Sequence, residues 1–221
     1  VTQTGDSPLA AALDHALLIG ESDQAHAGVY IVLQALVAGL MAGKDGWALE
    51  PKVLASLRVL PDVLVASQRQ VDARTDEEAR LYKDDRILYH VASGPMFSTA
   101  YVFGVCVLME MQWMHSTALE AAEFFHGPFE IVDKDLPLVL YLGEDPSRPL
   151  MERVVRFCRK YTERLVVYDT RDFPMDGIDP EVRAHVAPIV LCSALDRLSQ
   201  KLAVWHAHPL STRRYMWCTE Y

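Results

Sequence analysis

Strand, turn and helix signals alternate through the second half of this chain, and that alternation limits the fold more than any other feature. The β-rich run "RILYHVA" (residues 86–92) ends in Ser-Gly-Pro and leads directly into an apolar helical pattern over residues 96–115. The apolar run "LPLVLYL" (136–142) precedes "GEDPSRPLMERVVRFCRKY", where Asp145 can cap a helix and Pro146 can open it. A further buried-strand pattern, "RLVVYDT" (164–170), comes before a last helix in "APIVLCSALDRLSQKLAVWHA". Repeated units of this kind predict an α/β fold, a three-layer αβα sandwich with a parallel sheet covered on both faces. Ligands of such sheets bind beyond the carboxyl ends of the strands, where Ser93-Gly94-Pro95 is placed.

The first half reads differently. A loop leads to a short strand over residues 16–19, and residues 23–41 keep apolar positions at helical spacing until "GKDGW" breaks them. A polar helix follows over residues 51–82, interrupted near Pro61, with "DARTDEEARLYKDD" as its solvated end. It is expected to link two domains. The net charge of -9 argues against a nucleic-acid surface, since phosphate contacts need clustered Lys and Arg. No apolar run is expected to approach the ~20 residues of a membrane span. Cys106, Cys158, Cys192 and Cys218 form no CxxC pair, so reduced thiols in the cytoplasm are expected. Neither a dinucleotide fingerprint nor a P-loop spacing is present, and no cofactor or metal is expected.

Two polar residues stand out against their surroundings. Glu110 is set among Val105, Val107, Leu108, Met109, Met111 and Trp113, where an unpaired carboxylate would cost several kcal/mol. It is either a functional group or a core acid paired with Arg or Lys. His126 lies between Phe125 and Gly127, just before Pro128, and His115 is expected at a helix end.

The run from "ASGP" through "LMEMQWMHS" to "AAEFFHGPFEIV", with "PLVLYLGED" and "HPLSTRRYM", resembles the second sugar isomerase (SIS) domain of phosphosugar-binding proteins. "SPLA" (7–10) and "GES" (20–22) resemble the end of a first such domain. The resemblance implies that residues 1–47 are a remnant of that first domain, 48–84 a helical linker, and 85–221 a second domain with a C-terminal tail. The phosphate-holding serine loops would then precede residue 1. Within the family the chain is similar to the Amadori-compound deglycases of the fructoselysine 6-phosphate and 6-phosphofructose-aspartate type. The helix glutamate and the K-H-G-P histidine of the more distant glucosamine-6-phosphate synthase match Glu110 and His126.

The resemblance implies a reaction. Glu110, with a pKa raised by desolvation, would take the C1 proton of an open-chain fructosamine 6-phosphate and return it at C2. His126 would open the sugar ring, reaching the site from a neighbouring subunit of a homodimer. The partner implied is a phosphorylated sugar–amino acid substrate, with no nucleic acid and no membrane. An aldose–ketose isomerase or amino-sugar deaminase, and a non-catalytic phosphosugar sensor, remain the alternatives. The synthases' tail lysine has no counterpart here. Arg213, Arg214 and Tyr215 are the nearest polar candidates.

Overall fold

The computed structural model describes residues 1–220. The chain groups into two compact units, Val1–Val63 with Met175–Arg183, and Leu64–Pro174 with residues 184–220. This division falls inside a helix.

In the first unit the expected strand at residues 16–19 is reduced to a single parallel bridge between Thr2 and Leu18. Helix α1 (Pro8–Ala11) is opened by Pro8 and capped by Ser7, whose hydroxyl accepts from the Ala10 N–H. Helix α2 (Ala25–Asp45) ends at Gly46, which adopts the left-handed conformation that glycine takes without steric cost. Only Ala27 and Ala38 of α2 are buried. Leu33, Leu36, Val37 and Leu40 are exposed, Leu40 by 69 %. This 21-residue helix corrects the expectation about apolar runs, since it is long and apolar enough to cross a membrane by length and composition. Helix α3 (Glu50–Tyr82) runs through Pro61 without the expected break. Ser56, near its start, accepts a hydrogen bond from the Asp179 N–H at 3.0 Å.

The second unit holds the sheet. Strand β1 (Ile87–Ala92) leads into α4 (Met96–Tyr101), which continues as a π-helical stretch, Val102–Met109, and a final turn, α5 (Glu110–Gln112). Next come β2 (His115–Glu120), α6 (Ala121–Phe124), β3 (Leu138–Leu142), α7 (Arg148–Tyr161), β4 (Leu165–Asp169) and α8 (Arg183–Trp205), whose first residue belongs to the other unit. The four strands pair in the order β2-β1-β3-β4, and every pairing is parallel. The α/β expectation holds. Strand β2 was not expected: "HSTALE" has no alternation and few β-branched residues, and it pairs through β1 from Ile87–His115 to Ala92–Glu120.

Side-chain alternation along β3 supplies both faces of the sheet. Leu138, Leu140 and Leu142 pack with Val91 of β1, Phe124 of α6, and Met151, Val154 and Cys158 of α7. On the other face Tyr141 meets the Nδ1 of His90 at 2.7 Å, and His90 packs edge-on to Phe103 of the π-helical stretch. A Cβ at Gly104 would lie 2.7 Å from Ser116 Oγ, so glycine lets this stretch lie close against β2. Thr99 of α4 donates to the Pro188 carbonyl of α8 at 3.0 Å.

The segment expected to be solvated, "DARTDEEARLYKDD", is instead partly core. Thr75, Glu78, Ala79 and Tyr82 are buried. The Tyr168 hydroxyl of β4 donates to Glu78, and Arg74 pairs with Glu78 at 2.6 Å while lying over the Tyr168 ring. Glu78 is therefore a buried acid with its charge answered, which is how such groups persist in a core.

Candidate active site

The carboxyl ends of the strands, where a ligand was expected, are occupied by the protein's own acids. Gly94 has φ +53 and its N–H donates to Glu120 Oε1 at 3.3 Å. Asp145 accepts from the Ser147 N–H at 2.9 Å and from its hydroxyl at 2.5 Å, and the Ser147 and Ser93 hydroxyls meet at 2.8 Å. A Cβ at Gly94 would lie 2.7 Å from Asp145 Oδ1. Two carboxylates packed against the Ser93-Gly94-Pro95 turn fill the donors a phosphate would use and would repel its charge. Ser-Gly-Pro serves here as a turn that joins β1 to α4 across the sheet end.

A cavity of about 470 Å³ opens instead where the α4–α5 helix ends and the C-terminal tail returns. The helix supplies Met109, Glu110 and Trp113, and Met114 and His115 follow on the way into β2. Arg213, Arg214, Tyr215 and Met216 form the opposing wall. The helix stops because Trp113 adopts a left-handed conformation (φ 55, ψ 27), after which the Met114 N–H returns to the Leu108 carbonyl at 2.9 Å. That conformation costs a non-glycine residue about 1–2 kcal/mol. It turns the indole against His208, at 4.4 Å between ring centroids, and under the Arg214 guanidinium, 4.1 Å from the ring centroid.

Glu110 is not deeply buried. Its side chain is 27 % exposed, and Oε1 pairs with Arg213 at 3.0 Å. Arg213 is held in turn: its side chain is 10 % exposed and it donates to the Leu210 and Thr212 carbonyls at 2.7 and 3.0 Å. Gln112 fastens the tail to the helix end, donating to the His208 carbonyl at 3.0 Å and meeting His206 Nδ1 at 2.8 Å. Of the two readings of Glu110 left open by the sequence, the pairing with an arginine is present, on the cavity wall rather than in the core. The pairing partner lies in the tail. The resemblance names Arg213 among the tail candidates, but nothing in the sequence pairs it with Glu110.

His126 follows α6, its N–H donating to the Glu123 carbonyl at 2.9 Å. The turn is fixed from below by Phe124, Phe125 and Phe129, all packed against Phe157 of α7. Above this aromatic base His126 is exposed and does not line the cavity that holds Glu110. His115 begins β2 rather than ending a helix, is exposed, and contributes to the cavity wall. Among the described residues no group of three or more His, Cys, Asp or Glu could hold a metal ion. All four cysteines are free thiols, and burial pushes Cys158 and Cys192 up to about 12.

No family model matches the chain. It is 37 % identical over 218 residues to fructosamine deglycase of Bacillus subtilis (strain 168), covering 98 % of this chain and 66 % of that protein. It is 30 % identical over 164 residues to fructoselysine 6-phosphate deglycase of Escherichia coli (strain K12), covering 74 % of this chain and 47 % of that protein. Among solved structures, one from Bacillus subtilis described as a phosphosugar isomerase superposes with a TM-score of 0.92 at 36 % identity, covering 99 % of this chain and 67 % of that one. The chain spans about half to two thirds of the length of these relatives. With a parallel sheet of this order, a helix glutamate on a cavity wall and these relatives, the chain belongs to the sugar isomerase family of phosphosugar proteins and within it is similar to the Amadori-compound deglycases.

Proposed function

We propose that this chain carries the catalytic base of a deglycase acting on a 6-phosphorylated Amadori compound, a 6-phosphofructosyl-amino acid of which the aspartate adduct is one candidate. The observation that carries the proposal is Glu110 on the wall of a cavity, with one carboxylate oxygen held by Arg213 and the other without a partner among the described residues. The free oxygen takes a proton from C1 of the open-chain ketosamine, the C1–H electron pair moves into the C1–C2 bond, and O2 takes a proton from water to give the enaminol. Reprotonation at C2 gives the Schiff base of glucose 6-phosphate, and water splits it into the sugar phosphate and the free amine. Arg213 fixes the carboxylate while the proton is carried, and so acts as a positioning residue.

His126 opens the sugar ring at the site of a second copy in a homodimer. Its exposure on a rigid turn and its absence from the cavity of its own chain support that placement. The phosphate is held outside the strand ends described above, on loops of a first sugar isomerase domain. Free thiols are in keeping with a reducing cytoplasmic setting.

The test is release of glucose 6-phosphate by the full-length protein carrying residues 1–221, given a panel of 6-phosphofructosyl-amino acids. Release from at least one member of the panel is expected. Interconversion of aldose and ketose phosphates, with no release from any adduct, would assign the isomerase activity instead.

A further inference from the structure

The tail brings two guanidinium groups to the cavity, and only one of them is used. Arg213 is committed to Glu110 and to the Leu210 and Thr212 carbonyls. Arg214 is exposed, lies over Trp113 with its guanidinium carbon 4.1 Å from the ring centroid, and has no ion pair or hydrogen bond among the described residues. A guanidinium stacked on an aromatic face keeps its N–H donors at the ring edge, in the plane that matches a carboxylate. Met109, Met114 and Met216 line the same cavity, and a guanidinium–carboxylate bond there is charge-assisted.

The substrate's own geometry says which anion this group meets. In an adduct of an α-amino acid the carboxylate carbon is three bonds from C1, a separation of about 3.8 Å when extended, the same as that between consecutive Cα atoms. A base at C1 therefore shares its cavity with the carboxylate, while the phosphate lies at the far end of the sugar. Resting on the assignment of Glu110 as that base, we propose that Arg214, stacked on Trp113, receives the carboxylate of the amino acid and so selects amino acid adducts over those of simple amines.

The experiment compares 6-phosphofructosyl-glycine with 6-phosphofructosyl-methylamine, which lacks only the carboxylate, in the wild-type protein and in Arg214→Gln and Arg214→Lys. In the wild type the glycine adduct should be favoured in kcat/KM by about 10- to 100-fold, the range of one charge-assisted bond. That ratio should fall close to one in Arg214→Gln, chiefly through KM, and recover in part in Arg214→Lys. The same dependence on Arg214 should persist in binding of the unphosphorylated pair, fructosyl-glycine and fructosyl-methylamine. Its disappearance there would show that Arg214 holds phosphate and would overturn the proposal. So would a ratio that survives Arg214→Gln, or an equal loss on both adducts, which a merely structural role would give. If neither adduct releases glucose 6-phosphate, the deglycase reading fails separately. Calorimetric titration of the same two adducts then decides the role of Arg214: tighter glycine-adduct binding that Arg214→Gln removes upholds it, and equal binding overturns it.

Discussion

Glu110 was legible in the sequence because a carboxylate inside an apolar helical run has to be answered by something. What answers it, Arg213, was not legible, because the pairing depends on a tail that folds back only after α8 is in place. Arg213→Ala should leave Glu110 free to rotate, so kcat should fall while KM for the substrate changes less. Arg213→Lys should restore part of the rate, a rescue that a purely structural tail residue would not show. His90 presents the opposite case, a polar residue whose role is in the core. It is fully buried, its Nε2 has no partner among the described residues, and burial pushes it down from 6.5 to about 3. The unfolded chain therefore binds a proton there at pH values where the folded protein does not. The stability contributed by a neutral His90 is complete above pH 6.5 and is lost as the pH falls towards 3, by up to about 1.4 kcal/mol per pH unit. Urea unfolding from pH 7.5 to 4.5 should show that slope, and His90→Phe, if it folds, should flatten it. An equal slope in the variant would mean that other groups carry the acid sensitivity.

At the scale of elements, periodicity located β1, β3, β4, α7 and α8 because each is a long apolar or amphipathic run with turn residues at its ends. Strand β2 was hidden for a physical reason: as an edge strand it has one neighbour and is only half-buried, so "HSTALE" needs no apolar alternation. The cap of α7 was misplaced as well. Asp145 accepts from Ser147 rather than closing the helix, and Arg148 does the connecting work. Its guanidinium pairs with both oxygens of Asp169 at the end of β4, with Glu152 at 2.9 Å, and with the Gly143 carbonyl at 2.8 Å. Arg148→Met should destabilise the protein by about 2–3 kcal/mol, because it removes the ion pair of Asp169, leaving that carboxylate the Arg171 N–H, and leaves the buried Gly143 carbonyl unanswered. Arg148→Lys, which cannot pair with both oxygens, should lose about half of that. The midpoint of urea unfolding reads both. A midpoint unmoved in Arg148→Met would show that solvent satisfies these groups equally well.

For the whole molecule, the apolar face of α2 and the exposed His126 both concern what lies beyond one copy of the chain. Exposed Leu33, Leu36, Val37 and Leu40 form a contiguous stripe of the kind that drives association. The chain of residues 1–221 should therefore sediment above its monomer mass of 24.8 kDa at micromolar concentration, and Leu36→Glu with Leu40→Glu should lower that association. A monomer at all concentrations would show that the stripe is tolerated in water. If His126 serves the site of a second copy, Glu110→Gln and His126→Ala proteins, each impaired alone, should complement on mixing. Half of the dimers would be mixed and each would hold one intact site of two, giving about a quarter of wild-type activity on ring-form substrate. No recovery after verified subunit exchange would place His126 in its own chain's site. The central claim is that Glu110 moves the C1 proton, and its most direct test is single-turnover release of glucose 6-phosphate from a 6-phosphofructosyl-amino acid by Glu110→Gln. The rate should fall by about 10²–10⁴-fold while the urea midpoint stays with the wild type. A folded Glu110→Gln protein that releases glucose 6-phosphate at the wild-type rate would contradict the account.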